Sequence, residues 1–213
     1  MAPAPYPGNM TLTALFSPDW ESSPHPDTAV LLLHGFGSNE RDLPGIVAQL
    51  GVDAPMASLR APVDMGDGAY AWFPLDESLD FPRETVDDAT NILWQWIDEN
   101  VAPETKLITV GFSQGGCMAS QLLRSRPERI ASTVILSGFV LDGLQPADAR
   151  LAESRPPVFW GRGTADVVIP PALVAVASVW LGTHTTLTEK VYPGLTHSVH
   201  DLELADVKAY LAR

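Results

Sequence analysis

Cysteine, basic residues and long apolar runs are all scarce in this chain of 213 residues. A single cysteine, Cys117, rules out an intrachain disulfide. The 13 Lys and Arg residues face 26 Asp and Glu, for a formal net charge of −13 at pH 7. Because nucleic acids and anionic membranes recruit basic patches, this charge argues against either as a stable partner. Without a signal-like start or a membrane-length apolar run, the sequence predicts a cytoplasmic protein.

What the chain does contain is a 46% hydrophobic content, distributed in runs typical of strands and helices that alternate. The continuous apolar run from Ala29 to Leu33 is typical of a strand that is covered on both faces, and Ile130 to Leu136 predicts another strand. From Phe81 to Val101, apolar residues three or four positions apart predict a helix. We therefore expect an α/β fold, with a mostly parallel sheet between helices, as one domain over residues 1–213. Residues 1–9 are rich in proline and predict an irregular arm.

Two further segments carry local expectations. Residues 61–76 hold many glycine and aromatic residues, which argues against regular structure there. After the strand that ends at Leu33, the turn containing Gly35 and Gly37 leads into a predicted helix from Glu40, with Ser38 or Asn39 as its N-cap.

The stretch from Thr105 to Leu123 carries the clearest functional signal. A β-type run breaks at Gly111, and a helical pattern resumes after Gly115. The residues between them fit G-x-S-x-G, the nucleophile elbow, in which a serine is held exposed on a strained strand-to-helix turn. A side chain two residues before or after that serine would collide across so tight a turn. Ser113 is therefore the candidate nucleophile.

A serine hydroxyl needs a general base, which in turn needs an orienting carboxylate. In parallel sheets such partners lie at the carboxyl ends of strands, in the chain order Ser, acid, His. His197 follows the predicted strand 185–192 through a turn and is the preferred base. The alternative, His200, is expected to begin the final helix. His184 precedes that strand, which puts it at the wrong edge of the sheet.

Asp166 is the preferred carboxylate, because it follows the predicted strand at 157–160 through a glycine-containing loop. Asp142, after the strand that ends at Leu136, is the alternative. The oxyanion formed in acyl transfer needs two backbone N–H donors, one after the nucleophile and one after an early strand. We expect Gln114 and Phe36 to supply them, and we expect His34 to hold the early turn rather than to catalyse.

Four segments together resemble the phospholipase/carboxylesterase family of α/β-hydrolases, which includes acyl-protein thioesterases, over nearly the whole chain. They are LLLHGFGSNERDL, VGFSQGGCMA, GTADVVIP and YPGLTHSV. The resemblance implies a compact hydrolase without a large lid domain, with Ser113, Asp166 and His197 as its triad. Two departures lie beside the acid: Arg162-Gly163 where many relatives have His-Gly, and Val167 where a proline is common. They leave the conformation of the acid loop open.

A serine carboxylic-ester hydrolase that acts on small acyl esters without metal or cofactor is the predicted function. An acyl-protein thioesterase or a lysophospholipase is the alternative within this class, and a ligand-binding module without turnover is the alternative outside it. Oligomeric state, acyl length and leaving group stay open. Pockets are mostly apolar and built from loops. The predicted substrate-binding residues are therefore Trp72, Phe73, Leu75, Phe139, Val140 and Leu141, beside Phe36.

Overall fold

The computed structural model of the chain describes residues 12–23, 26–75 and 82–213. Nine strands are present in these ranges, in chain order β1 (Ala14–Phe16), β2 (Thr28–Leu33), β3 (Met56–Leu59), β4 (Val63–Gly66), β5 (Ala69–Ala71), β6 (Lys106–Phe112), β7 (Ile130–Leu136), β8 (Pro157–Gly163) and β9 (Thr186–Tyr192). Six α-helices alternate with them: α1 (Pro44–Leu50), α2 (Arg83–Asn100), α3 (Gln114–Ser125), α4 (Asp148–Ser154), α5 (Pro171–His184) and α6 (Asp201–Leu211).

Seven strands form one sheet in the order β1-β3-β2-β6-β7-β8-β9. Only β1 is antiparallel to its neighbour; every other pair is parallel. The carboxyl ends of β2, β6, β8 and β9 therefore meet at one edge of the sheet. The predicted α/β class with a mostly parallel sheet is confirmed.

Helices cover the sheet on both faces, which explains the continuous apolar run of β2. Leu31 and Leu33 pack into one core with α2, α3 and α5, whereas Val30 and Leu32 pack into a second core with α1 and α6. Since successive side chains of a strand point to opposite faces, every residue of such a strand has to be apolar.

Two local expectations were wrong. Part of the segment 61–76 forms a hairpin of β4 and β5, whose turn residues Asp67 and Gly68 both have positive φ. An Asp-Gly pair is a strong signal for a tight hairpin turn, and it outweighs the glycine content. The helix expected from Glu40 starts at Pro44 instead, because a proline suits the first turn of a helix but disrupts its interior. The Glu40 carboxylate pairs with the Arg60 guanidinium at 2.7 Å. The arm predicted for residues 1–9 lies outside the described residues.

Candidate active site

Ser113 lies at the turn between β6 and α3 with φ 54° and ψ −117°, a conformation that non-glycine residues rarely adopt. Its N–H donates to Leu136 O at 2.9 Å, which ties the turn to β7. A methyl group on Gly111 would come within 2.1 Å of Gly115 O, and one on Gly115 within 1.9 Å of Leu33 O. The backbone segments that hold the strained serine are thus in direct contact, because no side chain separates them.

The structure brings Ser113, His197 and Asp166 into one series of hydrogen bonds. Ser113 Oγ lies 2.8 Å from His197 Nε2, and His197 Nδ1 lies 2.8 Å from Asp166 Oδ2. This geometry suits a serine whose proton passes to an imidazole that a carboxylate orients. The three residues lie on the loops that follow β6, β8 and β9, at the same edge of the sheet.

The acid is held by its own loop. Asp166 Oδ1 accepts from the N–H of Val168 at 2.9 Å and of Ile169 at 3.2 Å, which leaves Oδ2 for His197. The Asp166 side chain is 7% exposed and that of His197 is 17% exposed. The Phe112 ring packs on the imidazole with centroids 4.9 Å apart. The base is therefore oriented on two sides while it keeps access to the cavity described below.

The alternatives from the sequence have other roles in the structure. His200 is the N-cap of α6 and accepts from the N–H of Glu203. His184 lies in the last turn of α5, where its ring stacks on Trp180 with centroids 4.6 Å apart. Asp142 Oδ1 accepts from the N–H of the adjacent Gly143.

The turn after β2 presents the N–H of Phe36. The next residues are tied to the β4–β5 hairpin, because Gly37 N–H donates to Tyr70 O and Tyr70 N–H donates to Ser38 O. The N–H of Phe36 has no hydrogen-bond acceptor within the described ranges. As the first residue of α3, Gln114 has no intrahelical acceptor for its N–H. Both residues line the cavity at Ser113, a position that is compatible with the predicted role. That their N–H groups bind an oxyanion stays a prediction.

His34 holds this turn from below. Its Nε2 accepts from Ala61 N–H at 3.0 Å, so its other ring nitrogen carries the proton and donates to Gly35 O at 2.7 Å. The ring is fully buried, and desolvation lowers the pKa of His34 below its ordinary value. A neutral, doubly hydrogen-bonded imidazole fits the structural role expected from the sequence.

The structure places Trp72 and Phe73 in the core rather than on a pocket wall. Both side chains are fully buried, and Trp72 Nε1 donates to His34 O at 2.8 Å. Their backbone is bound by the Gln114 amide, which accepts from Trp72 N–H at 2.8 Å and donates to Phe73 O at 2.7 Å. These side chains therefore pack against the elbow and the turn after β2, and they do not line the cavity at Ser113.

A cavity of about 170 Å³ opens beside Ser113. Of the predicted substrate-binding residues, Leu75 and Phe139 line it, together with Phe36. Val140 and Leu141 are buried away from it. Three apolar residues of its wall, Val168, Ile169 and Leu173, were not predicted from the sequence, although the first two lie two and three positions after Asp166. The described lining consists of Phe36, Leu75, Ser113, Gln114, Phe139, Val168, Ile169, Leu173 and His197.

Arg124 of α3 is a further positioning residue that the sequence analysis missed. Its fully buried guanidinium donates to Leu141 O and Gly143 O at 2.7 Å each and pairs with the Asp148 carboxylate at 2.7 Å. These contacts hold the loop between β7 and α4, which carries Phe139 into the cavity wall. A buried arginine within an apolar helix face is the signal that could have found it.

Within the described ranges, no group of three or more His, Cys, Asp or Glu side chains is arranged to hold a metal ion. No helix of these ranges is both long and apolar enough to cross a bilayer. Cys117 lies in α3 one turn after Ser113, and its full burial raises the pKa of its thiol.

Comparison with known proteins gives a consistent set of similarities. A family model described as phospholipase/carboxylesterase matches residues 20–213. The chain is 31% identical over 123 residues to acyl-protein thioesterase 1 of Saccharomyces cerevisiae, which covers 56% of this chain and 54% of that protein. It is 29% identical over 171 residues to carboxylesterase SOBER1 of Arabidopsis thaliana, covering 71% and 72%. The chain thus spans about half the length of the yeast relative and more of the plant one.

Among solved structures, a carboxylesterase of Bacillus cereus superposes with a TM-score of 0.79 at 22% identity, and covers 96% of this chain and 95% of that one. At this identity the likeness concerns the fold alone. This likeness of fold agrees with the match to the family model, and it includes the arrangement of strands and helices around the site.

Proposed function

The chain belongs to the phospholipase/carboxylesterase family of α/β-hydrolases, and from this premise we propose that it is a serine carboxylic-ester hydrolase acting on small acyl esters. The observation that carries the proposal is the series of 2.8 Å contacts from Ser113 through His197 to Asp166 at the mouth of an apolar cavity. Relatives named carboxylesterase and acyl-protein thioesterase support the reaction class.

In the first half of the reaction, Ser113 Oγ attacks the carbonyl carbon of the ester while His197 Nε2 accepts the hydroxyl proton. The carbonyl oxygen becomes an oxyanion, to which the N–H groups of Phe36 and Gln114 donate. The bond to the alcohol oxygen then breaks, and His197 gives its proton to that oxygen. The acyl group stays on Ser113, while Asp166 stabilises the cationic imidazole in between.

In the second half, water takes the place of the alcohol. His197 accepts a proton from the water as its oxygen attacks the acyl carbon, and the same two N–H groups receive the oxyanion. When the bond to Ser113 Oγ breaks, His197 returns the proton to the serine. The products are the carboxylic acid and the free enzyme, so the cycle needs no co-reactant besides water.

The size of the cavity favours small acyl groups. This cavity of about 170 Å³ is lined mostly by apolar side chains, and a short acyl group suits it. We therefore prefer small esters to the lysophospholipids or fatty acylated proteins that the alternative functions would require.

Labelling with a fluorophosphonate probe tests the proposal, because such probes react with a serine that a neighbouring base activates. We expect mass spectrometry to find the label on Ser113 under native conditions. A Ser120→Ala variant is the matched control, because this buried serine lies on α3, the helix that follows Ser113. Labelling of Ser113 should be unchanged in this variant. If the folded wild type stayed unlabelled, the result would contradict the proposed enzyme function and favour a ligand-binding module.

A rate series over p-nitrophenyl esters of increasing acyl length, with one thioester and one lysophospholipid, tests the substrate class. We expect kcat/KM to be highest for the short acyl groups of the series. Faster turnover of the lysophospholipid than of every short ester would contradict the preference for small substrates.

A further inference from the structure

A second cavity, of about 280 Å³, lies beside the catalytic one, between the ends of β7 and β8 and the start of α5. The same two chain segments line both cavities. Phe139 and Leu173 face the catalytic cavity, whereas their neighbours Gly138 and Val174 face the second. Ile169 lines both. The two spaces are therefore separated by a thin wall whose shared apolar side chain is Ile169.

Ile169 is poorly able to move out of this wall. Its β-branched side chain has restricted rotamers, and Pro170 after it limits its backbone to extended conformations. Its N–H is held by Asp166 Oδ1 at 3.2 Å, and its side chain is largely buried. The wall is thus a fixed end to the catalytic cavity rather than a gate.

The second cavity suits the far part of an uncharged chain. Trp160, Ile169 and Val174 give it apolar surface, and the Ser137 hydroxyl is buried without a hydrogen-bond partner in the described part of the chain. Two charged residues also line it, Arg162 and Asp166. The Arg162 guanidinium pairs with the Glu189 carboxylate at 2.9 Å, and the Asp166 carboxylate is bound by two backbone N–H groups and His197. Both charges are therefore compensated, so an uncharged chain matches the cavity.

We propose that Ile169 is a specificity-determining residue that confines the acyl group to the catalytic cavity, and that the second cavity is an acyl subsite closed off by this side chain. The proposal rests on the ester hydrolase function proposed above. Removing the Ile169 side chain beyond its Cβ would connect the two spaces and more than double the room for the acyl chain.

Acyl-length profiles of the wild type and an Ile169→Ala variant test this inference. Each methylene that gains burial contributes a factor of about four to binding. We therefore expect the ratio of kcat/KM for octanoyl over butyryl p-nitrophenyl esters to rise at least tenfold in the variant. Ile169→Val, which removes one methyl group and is a milder change, should shift the ratio in the same direction by a smaller factor.

Val174→Ala is the matched control, because it enlarges the second cavity without touching the shared wall. Its octanoyl to butyryl ratio should stay at the wild-type value. An unchanged ratio in both folded Ile169 variants, or an equal rise in Val174→Ala, would overturn the inference while ester hydrolysis by the wild type still stands. Absence of hydrolysis of every ester by the wild type would instead contradict the proposed function, and this inference with it.

Discussion

The nucleophile side of the site and its acid–base side both rest on close backbone contacts, but they differ in their side-chain contacts and ionisable groups. The elbow around Ser113 rests on direct backbone contact, with Gly115 against Leu33 and the neutral Gln114 amide bound to the loop of Trp72. The side that carries Asp166 and His197 has a similar contact, with Gly163 against Leu195, and adds side-chain hydrogen bonds and α6, whose buried Glu203 packs over Gly161 of β8.

Ionisable groups differ between the two sides as well. On the elbow side burial keeps His34 and Cys117 neutral near pH 7, because it lowers the pKa of the first and raises that of the second. On the other side, desolvation with the nearby Asp206 charge raises the pKa of Glu203 to about 7. We therefore expect the two sides to respond to pH in opposite directions: the lowered pKa of His34 costs stability as pH falls below 6.5, and the raised pKa of Glu203 costs stability as pH rises toward 7.

The largest expected effect is that of Ser113→Ala, which removes the nucleophile while leaving the contacts of the elbow backbone in place. We expect kcat to fall by very roughly 10⁴–10⁶, as for other serine triads. Because only one oxygen is lost, the melting temperature should change by no more than about 2 °C. Steady-state kinetics on a short ester and a thermal melt check both. Activity within tenfold of wild type would contradict the role of Ser113.

Gly115→Ala probes the backbone contact itself. Its new methyl group would lie 1.9 Å from Leu33 O and 2.4 Å from the carbonyl carbon, so the elbow has to shift. We expect a loss of about 3 kcal/mol or more in the free energy of unfolding, and at least about 10²-fold in kcat as the Gln114 N–H moves. Denaturant unfolding and kinetics measure these losses.

Gly45→Ala in α1 is the matched control, because a methyl group there meets no atom within 4 Å. It should be neutral or stabilising by up to about 1 kcal/mol. An equally small effect of Gly115→Ala would contradict the close backbone contact at the elbow.

Glu203→Gln tests the pH sensitivity of the acid–base side. Below about pH 4.5 the carboxyl is protonated in both the folded and the unfolded chain, so it does not make the free energy of unfolding depend on pH. Between about 4.5 and 7 only the unfolded chain releases the proton, and the free energy of unfolding falls as pH rises. A pKa of about 7 instead of 4.5 corresponds to roughly 3 kcal/mol, lost in full above pH 7.

The neutral glutamine has no such proton to lose. We therefore expect Glu203→Gln to be more stable than wild type at pH 8, by up to roughly 3 kcal/mol, with the difference vanishing near pH 4. Urea unfolding at several pH values measures it, and Glu153→Gln on the exposed side of α4 is the control. If the stability difference between Glu203→Gln and wild type did not depend on pH, the charge of Glu203 could not be its cause.

The smallest expected effect belongs to His200→Ala, which removes the N-cap of α6 three residues after His197. Loss of a cap costs about 1 kcal/mol of stability, and kcat should stay within a few-fold of wild type. His197→Ala, by contrast, should lower kcat about as much as Ser113→Ala. The opposite pattern of activities would show that His200 is the base.

Most of the strands and helices around the site could be predicted because their signals are local. The apolar run of β2, the glycines that flank Ser113 and the order of the three predicted catalytic residues are all readable along the chain. The hairpin at Asp67-Gly68 is readable too, because an Asp-Gly pair is a strong turn signal.

Which side chains of a loop face the cavity could not be predicted from the sequence. Trp72 and Phe73 looked like pocket residues in the sequence, yet Trp72 donates to His34 across 38 positions and both are buried. Val168, Ile169 and Leu173 line the catalytic cavity because α5 starts beside it, a fact that depends on how β8 and α5 pack.

By itself, the sequence determined the fold class, the elbow and the candidate residues for acid and base, because strand periodicity, glycine turns and chain order are properties of neighbouring residues. Only the tertiary structure decided the 2.8 Å contacts among the three, the wall at Ile169 and the buried position of Glu203. Distances, cavities and desolvation arise where segments far apart in the chain pack together, and no local pattern encodes them.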